Sequence, residues 1–382
     1  MTKGSLEAAK KSLIGKRRDQ VPTPSLILDL PKVRKNIAEM ARRMAPLPAA
    51  LRPHAKIHKN PGLGKLQVAA GAIGLTTATA WEAGAMVDAG LTNILIANQV
   101  VGAAKVAELA RIAGRAQVIV EVESVHNANE LSEAAVGAVS RIDVLVEIDV
   151  GLHRAGVRST EDALALGAHV TKLPGLRLQG VLGYEGHSML EPDRAVRIEK
   201  TLAANAALIA VADEFDRHGL DTTIVAAGGF GTWDITGANA RITEIHAGSY
   251  IFNDAFHRNL MPGFETALTV AATVTSRTGD NAVVDCGRKS IGIDRAVPEL
   301  LGNVGEIKFD HGEFAIHEEH VVLTLRENSD LAVGDRVELL PGYAPTTVNL
   351  YDIYCVVEDD VVIDVWPIEA RYGRNTVGIG LS

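Results

Sequence analysis

A chain of 382 residues, 47% hydrophobic and 22% charged, is long enough for a large core or two domains and has a globular rather than a disordered composition. Its 47 acidic and 38 basic side chains leave a net charge of −9, which repels a phosphate polymer and argues against nucleic acid as a partner. The two cysteines, Cys286 and Cys355, form no CxxC, so neither a disulfide framework nor a cysteine zinc site is indicated, and a reducing cytoplasm fits.

Residues 1–20 are polar and lack the apolar core of a signal peptide, and no run of about 18 apolar residues marks a membrane span. SLILDL (25–30) reads as a strand, followed by a helix over 31–45 with Val33, Ile37, Met40 and Met44 at helical spacing. ALRPHAK (50–56), IGLTTAT (73–79), NILIANQ (93–99), QVIVEVES (117–124), IDVLVEIDV (142–150), LQGVLGYEG (178–186), TTIVAAGG (222–229) and ITEIHAGS (242–249) continue the strands, most of them separated by helical stretches. Eight or nine such alternations predict an α/β fold of the (α/β)8 barrel type over 25–256. An open doubly wound sheet is the competing architecture, but no GxGxxG follows the first strand. From 257 to 382 β-rich runs dominate, which predicts a second, mostly antiparallel β-domain that residues 1–24 could join.

Active sites of such barrels gather where strands end. RPHAKIHKN (52–60) crowds Arg52, His54, Lys56, His58 and Lys59 into one strand end. A charge run of this kind is ordinarily a solvated loop. A sheltered lysine beside other cations, however, loses its proton more readily and becomes a nucleophile for carbonyls, including the aldehyde of pyridoxal 5'-phosphate (PLP). AAGGFGTWD (226–234) offers backbone amides unobstructed by side chains, suited to a phosphate, and Ser249 and Tyr250 could add hydroxyl donors. Arg154 and Tyr184 lie beyond two further strands and could reach a cofactor's phenolate oxygen and pyridine nitrogen. Each has an ordinary alternative: a turn, a surface arginine, a packed tyrosine.

PTPSLILDL, RPHAKIHK, EIDVGLHRAGV, GYEGH, AGGFGT, AGSYIFND and TVNLYD appear in order over most of the chain. Together they resemble the D-threonine aldolase and D-serine dehydratase family, PLP enzymes with an alanine-racemase-like barrel and a C-terminal β-domain. The resemblance implies that Lys56 is the Schiff-base lysine, that Arg154 lies near the phenolate and Tyr184 near the pyridine nitrogen, and that Gly229, Gly231 and Thr232 surround the phosphate. It also implies a homodimer. The family usually carries a divalent metal, held by a histidine and an acid or cysteine before the TVN stretch. Here LLPGYAPTTVN places Tyr343 and Pro345 at those positions, so the metal site is expected to be absent. Tyr343, His54, His187, His317 and His320 are then candidates for the base.

The leading expectation is a PLP-dependent lyase that splits a β-hydroxy D-amino acid, as in aldol cleavage of a D-threonine-like substrate to glycine and an aldehyde. A metal-independent racemase or β-hydroxy amino-acid dehydratase is the alternative. A non-catalytic PLP-binding protein is a third, disfavoured by the extra β-domain.

Overall fold

Short apolar segments flanked by amphipathic ones become strands and helices in the computed structural model, which describes residues 2–189 and 191–371. The eight strands of one sheet are β2 (Ala50–Leu51), β3 (Leu75–Thr77), β4 (Asn93–Gln99), β5 (Gln117–Val122), β6 (Ile142–Glu147), β7 (Leu176–Leu182), β8 (Ile224–Ala227) and β9 (Glu244–Ile245). They run in the order β2-β9-β8-β7-β6-β5-β4-β3, every pairing parallel. A parallel bridge between His54 and Thr76, with the Thr76 amide donating to the Pro53 carbonyl at 2.9 Å, joins the two ends of that order. The interior is filled by Leu95, Ile119, Leu145, Leu182, Ile224 and Ala226.

The helices between the strands start where the sequence supplies caps. Thr79, Ser124 and Ser159 accept from the amides of Glu82, Asn127 and Asp162, and Asp193 accepts from Ala195 and Val196. Each cap satisfies an otherwise unpaired donor and contributes about 1 kcal/mol. The stripe Val33, Ile37, Met40 and Met44 is buried along the helix Leu30–Met44.

Gly180 sits in β7 at φ +141, just where the register against β6 slips. A Cβ there would lie 1.9 Å from the Ile224 carbonyl oxygen. Gly180→Ala is expected to cost on the order of 3 kcal/mol, from backbone strain and overpacking together, read as a lower denaturation midpoint.

One expectation is corrected. The run at 25–30 does not open the barrel. It forms β1 (Ser25–Asp29), antiparallel to β10 (Leu268–Thr278) and parallel to the strand Ile353–Glu358. Leu26, Ile27 and Leu28 are all buried, and a short continuous apolar run has the same signature in a parallel barrel and in the middle of a mixed sheet. Its sheet continues through β11 (Asn281–Val284), Val321–Leu325 and Gly305–Ile307 on one side and Val361–Pro367 on the other. Leu13 and Val21 pack there with Ile27, Ala271, Cys355, Val357, Val362 and Val365.

By compactness, residues 38–56 and 61–248 group around the parallel sheet. Residues 2–37, 57–60 and 249–371 group around the mostly antiparallel one. These divisions differ from the texture change read at 25 and 257, because chain texture does not register which sheet a strand joins. The stretch 372–382 of the expected β-domain lies outside the described residues. Among the described residues no helix is long and apolar enough to cross a membrane.

Candidate active site

The cationic cluster at 52–59 is not a solvated loop. Arg52 is 2% exposed and grips Glu244 with two prongs, Nε to Oε2 at 2.7 Å and Nη2 to Oε1 at 2.9 Å. Its Nη1 reaches Asn93 Oδ1 at 2.6 Å, so one guanidinium ties β9 and β4 to the end of β2. His58 and Lys59 are buried too. The Asn60 amide donates to His58 Nδ1 at 3.1 Å, and the Ala370 amide donates to the Lys59 carbonyl at 3.0 Å. Only His54 and Lys56 keep intermediate exposure. Four of the five cationic groups thus divide into three structural ones and one neighbour of the lysine. Lys56 occupies a single 3-10 turn, Ala55–Ile57, just past the His54–Thr76 bridge, and its amide lies 3.4 Å from His54 Nδ1.

At the same ends of β4, β5 and β6 stand Gln99, Glu121 and Glu147, three residues the strand-by-strand reading passed over. Their signal was present: QVIVEV places Glu121, and IDVLVE places Asp143 and Glu147, inside largely apolar strands, where charge is costly. Glu121 is 1% exposed, Glu147 3%, and Gln99 Nε2 donates to Glu147 Oε2. Burial first, and the Glu147 charge second, push the Glu121 carboxyl well above its ordinary range. Glu147 is also raised by burial, with Gln99 and Arg154 opposing. His246, just past β9, is held down by burial despite Glu244 at 3.6 Å.

The loop after β6 folds back on itself. The Val157 amide donates to the Glu147 carbonyl at 2.8 Å and the Asp149 amide to the Val157 carbonyl at 3.0 Å. The loop carries Arg154 to 3.8 Å from Glu147 Oε1 and sets its guanidinium 5.5 Å from the centre of the Tyr184 ring. Arg154 and Tyr184, read separately in the sequence, are therefore neighbours.

Beyond β8 the turn 228–232 is pinned by one buried carboxylate. Glu185, 1% exposed, accepts the Gly228 amide at 3.0 Å and the Thr232 and Thr236 hydroxyls at 2.8 Å each. Thr232 Oγ1 accepts the Gly229 amide at 3.1 Å, so its hydroxyl is engaged within the turn. Met189 lies over Gly229 and Gly231, and a Cβ on Gly229 would come 2.5 Å from its sulfur. Tyr184 Oη reaches the same sulfur at 3.2 Å. Side-chain-free backbone beneath a thioether, a lysine just past β2 and an arginine over a tyrosine ring are residue types that fit PLP.

Ser249 and Tyr250 fall in the 3-10 turn Ser249–Ile251, with Tyr250 buried and its ring 6.1 Å from Phe264. Tyr343 is the N-cap of the helix Ala344–Asn349, with its ring 5.9 Å from His257 and 6.4 Å from Phe256. His257 Nδ1 pairs with buried Asp254 at 2.6 Å, and Asp254 also accepts the Ala344 amide at 2.8 Å. Burial, then the Asp254 charge, raise the Tyr343 phenol. His317 and His320 are exposed at a surface turn. His187 lies against Gly151, where an added Cβ would meet its ring at 3.2 Å.

Comparison with known proteins supplies the kinship. The alanine racemase N-terminal domain family matches residues 28–255, and the putative serine dehydratase domain matches 267–357. The chain belongs to the alanine racemase N-terminal domain family. Within it, the chain is 36% identical to the D-threonine aldolase of Arthrobacter sp over 358 residues, 92% of this chain and 93% of the relative. The crystal structure of D-threonine aldolase from Filomicrobium marinum superposes with a TM-score of 0.89 at 34% identity, covering 94% of this chain and 98% of that one. D-threo-3-hydroxyaspartate dehydratase from Delftia sp. HT23 gives 0.79 at 27%, covering 92% and 98%. The alanine-racemase-like barrel, the mostly antiparallel second sheet and the PLP-dependent, lyase-type character expected from the motifs all stand.

Proposed function

We propose that this chain cleaves β-hydroxy D-amino acids of the D-threonine type to glycine and an aldehyde, using PLP and no divalent metal. The observation that carries the reading is the placement of Lys56, the Arg154–Tyr184 pair and the Glu185-pinned glycine turn at the ends of strands of one parallel barrel. Aldolase relatives at 36% and 34% identity support the aldol direction. Lys56 would hold the cofactor covalently. The backbone of Gly229, Gly231 and Thr232 would hold its phosphate, Tyr184 its pyridine nitrogen and Arg154 its phenolate. When bound, the cofactor's conjugated ring takes up the electron pair left on Cα as the Cα–Cβ bond breaks.

His54, beside Lys56, is the proposed acceptor of the β-hydroxyl proton. Burial raises the Tyr343 phenol, which makes it a poor base. The side chains do not suit a divalent cation. Pro345 has no donor atom, and the raised Tyr343 phenol opposes the ionised form a metal would need. The proposed assembly is a cytoplasmic homodimer, checked by sedimentation.

The deciding assay offers D-threonine and its L and allo isomers with and without EDTA. Glycine plus acetaldehyde, unaffected by EDTA, is the expected result. A keto acid with ammonia, or an inverted amino acid, would favour the dehydratase or racemase alternative, for which Tyr343, Pro345 and the dehydratase neighbour argue. Activity lost to EDTA and restored by Mn would sink the metal-free part. Glu185→Ala is expected to weaken PLP retention roughly 10- to 100-fold in equilibrium dialysis, because three hydrogen bonds shape the turn.

A further inference from the structure

We propose that Glu121 and Glu147 share a single proton and act as positioning residues for Arg154, leaving the guanidinium with one counter-charge at the barrel mouth. The proposal rests on the reading above that Arg154 faces the cofactor.

The geometry is that of a coupled pair. Glu121 lies in register with Leu145, two residues before Glu147, so the two carboxyls project from the same face of neighbouring strands. Both carboxyls are buried, Glu121 at 1% and Glu147 at 3% exposure, and two neighbouring buried carboxylates facing one cation are not both ionised without cost. Glu121 Oε1 is buried and has no hydrogen-bond partner among the described residues. Glu147, by contrast, receives the Gln99 amide on Oε2 and faces Arg154 at 3.8 Å through Oε1.

The charged groups acting on the pair are Arg154, which favours ionisation, and Glu123, which opposes it. Glu147 has the amide donor and the guanidinium while Glu121 Oε1 has neither, so the proposed proton sits on Glu121 and the negative charge on Glu147. Two carboxyls on one buried face titrate as a coupled pair, and burial together with their mutual repulsion raises the second ionisation. One negative charge balances Arg154. Two would turn a net negative mouth toward a cofactor that itself carries a phosphate.

The test uses the full chain with and without PLP. Infrared spectra of the unmodified protein at neutral pH are expected to show a protonated carboxyl C=O band that E121Q removes. With PLP bound, E147Q is expected to shift the pH titration of the visible band by about one unit, since Arg154 loses its counter-charge. E121Q is expected to leave that titration in place. A purely structural role would lower stability in both variants without moving the titration. Absence of the protonated band, its persistence in E121Q, or an unmoved titration in E147Q overturns the proposal. Should the unmodified protein show no visible band with PLP, the cofactor reading fails instead, and the infrared result alone decides whether the pair shares a proton.

Discussion

Lys56→Ala is expected to abolish the visible absorbance that PLP gives when bound to the full chain, and to lower kcat/KM by roughly four orders of magnitude. The size of the effect follows from the surroundings. No second lysine of the 52–59 cluster can substitute, because Lys59 is 8% exposed, at φ +50, with its carbonyl tied to Ala370. The replacement should be mild for folding, since Lys56 keeps intermediate exposure in a one-turn 3-10 helix that an alanine also forms. Loss of colour with an unchanged melting profile is therefore the signature. A Lys56→Ala protein that still binds PLP covalently, shown by borohydride trapping and mass spectrometry, would move the nucleophile elsewhere and dismantle the site.

Glu244→Ala is expected to destabilise the fold by about 3–5 kcal/mol, because it strands the Arg52 guanidinium in the interior without its partner. Burial alone would raise the Glu244 carboxyl. The hydrogen bonds and charge of Arg52, helped by His246, outweigh it and hold the group at about 2 rather than 4.5. A carboxyl depressed in the folded state contributes stability that is fully present above 4.5 and is lost as pH falls through about 2. The linkage is worth about 3 kcal/mol between those limits. Urea midpoints at neutral pH and near pH 3 should therefore converge in the variant more than in the parent. A variant with the parent's acid sensitivity would mean that the pair contributes nothing to closure.

Much of the barrel was legible because parallel strands buried on both faces read as continuous apolar runs, and β4 to β8 were found at nearly their observed limits. The same logic misplaced 25–30. A short strand with an apolar centre, Leu26, Ile27 and Leu28, all buried, is equally at home in either sheet, and only pairing partners distant in sequence, at 268–271 and 355–357, decide. Lys56, Arg154, Tyr184 and the glycine turn were visible as residue types at strand ends. The meeting of Arg154 with Tyr184 was not, because it depends on how the loop closes between Glu147 and Val157. Nor was the work of Glu185 in holding Gly228, Thr232 and Thr236, which spans more than forty residues of chain. The carboxyls of Glu121 and Glu147 were written plainly inside apolar strands, and attention to loops missed them.

The Arg52–Glu244 clasp has a practical bearing on Lys56. The strand that delivers the lysine has only a two-residue ladder, so its orientation leans on that clasp and on the His54–Thr76 bridge. Both partners are nearly shut off from solvent, at 2% and 6%, where dissolved ions screen poorly. Concentrated brine that dissolves ion pairs on the exterior should leave Lys56 anchored, and the protein's activity correspondingly salt-tolerant.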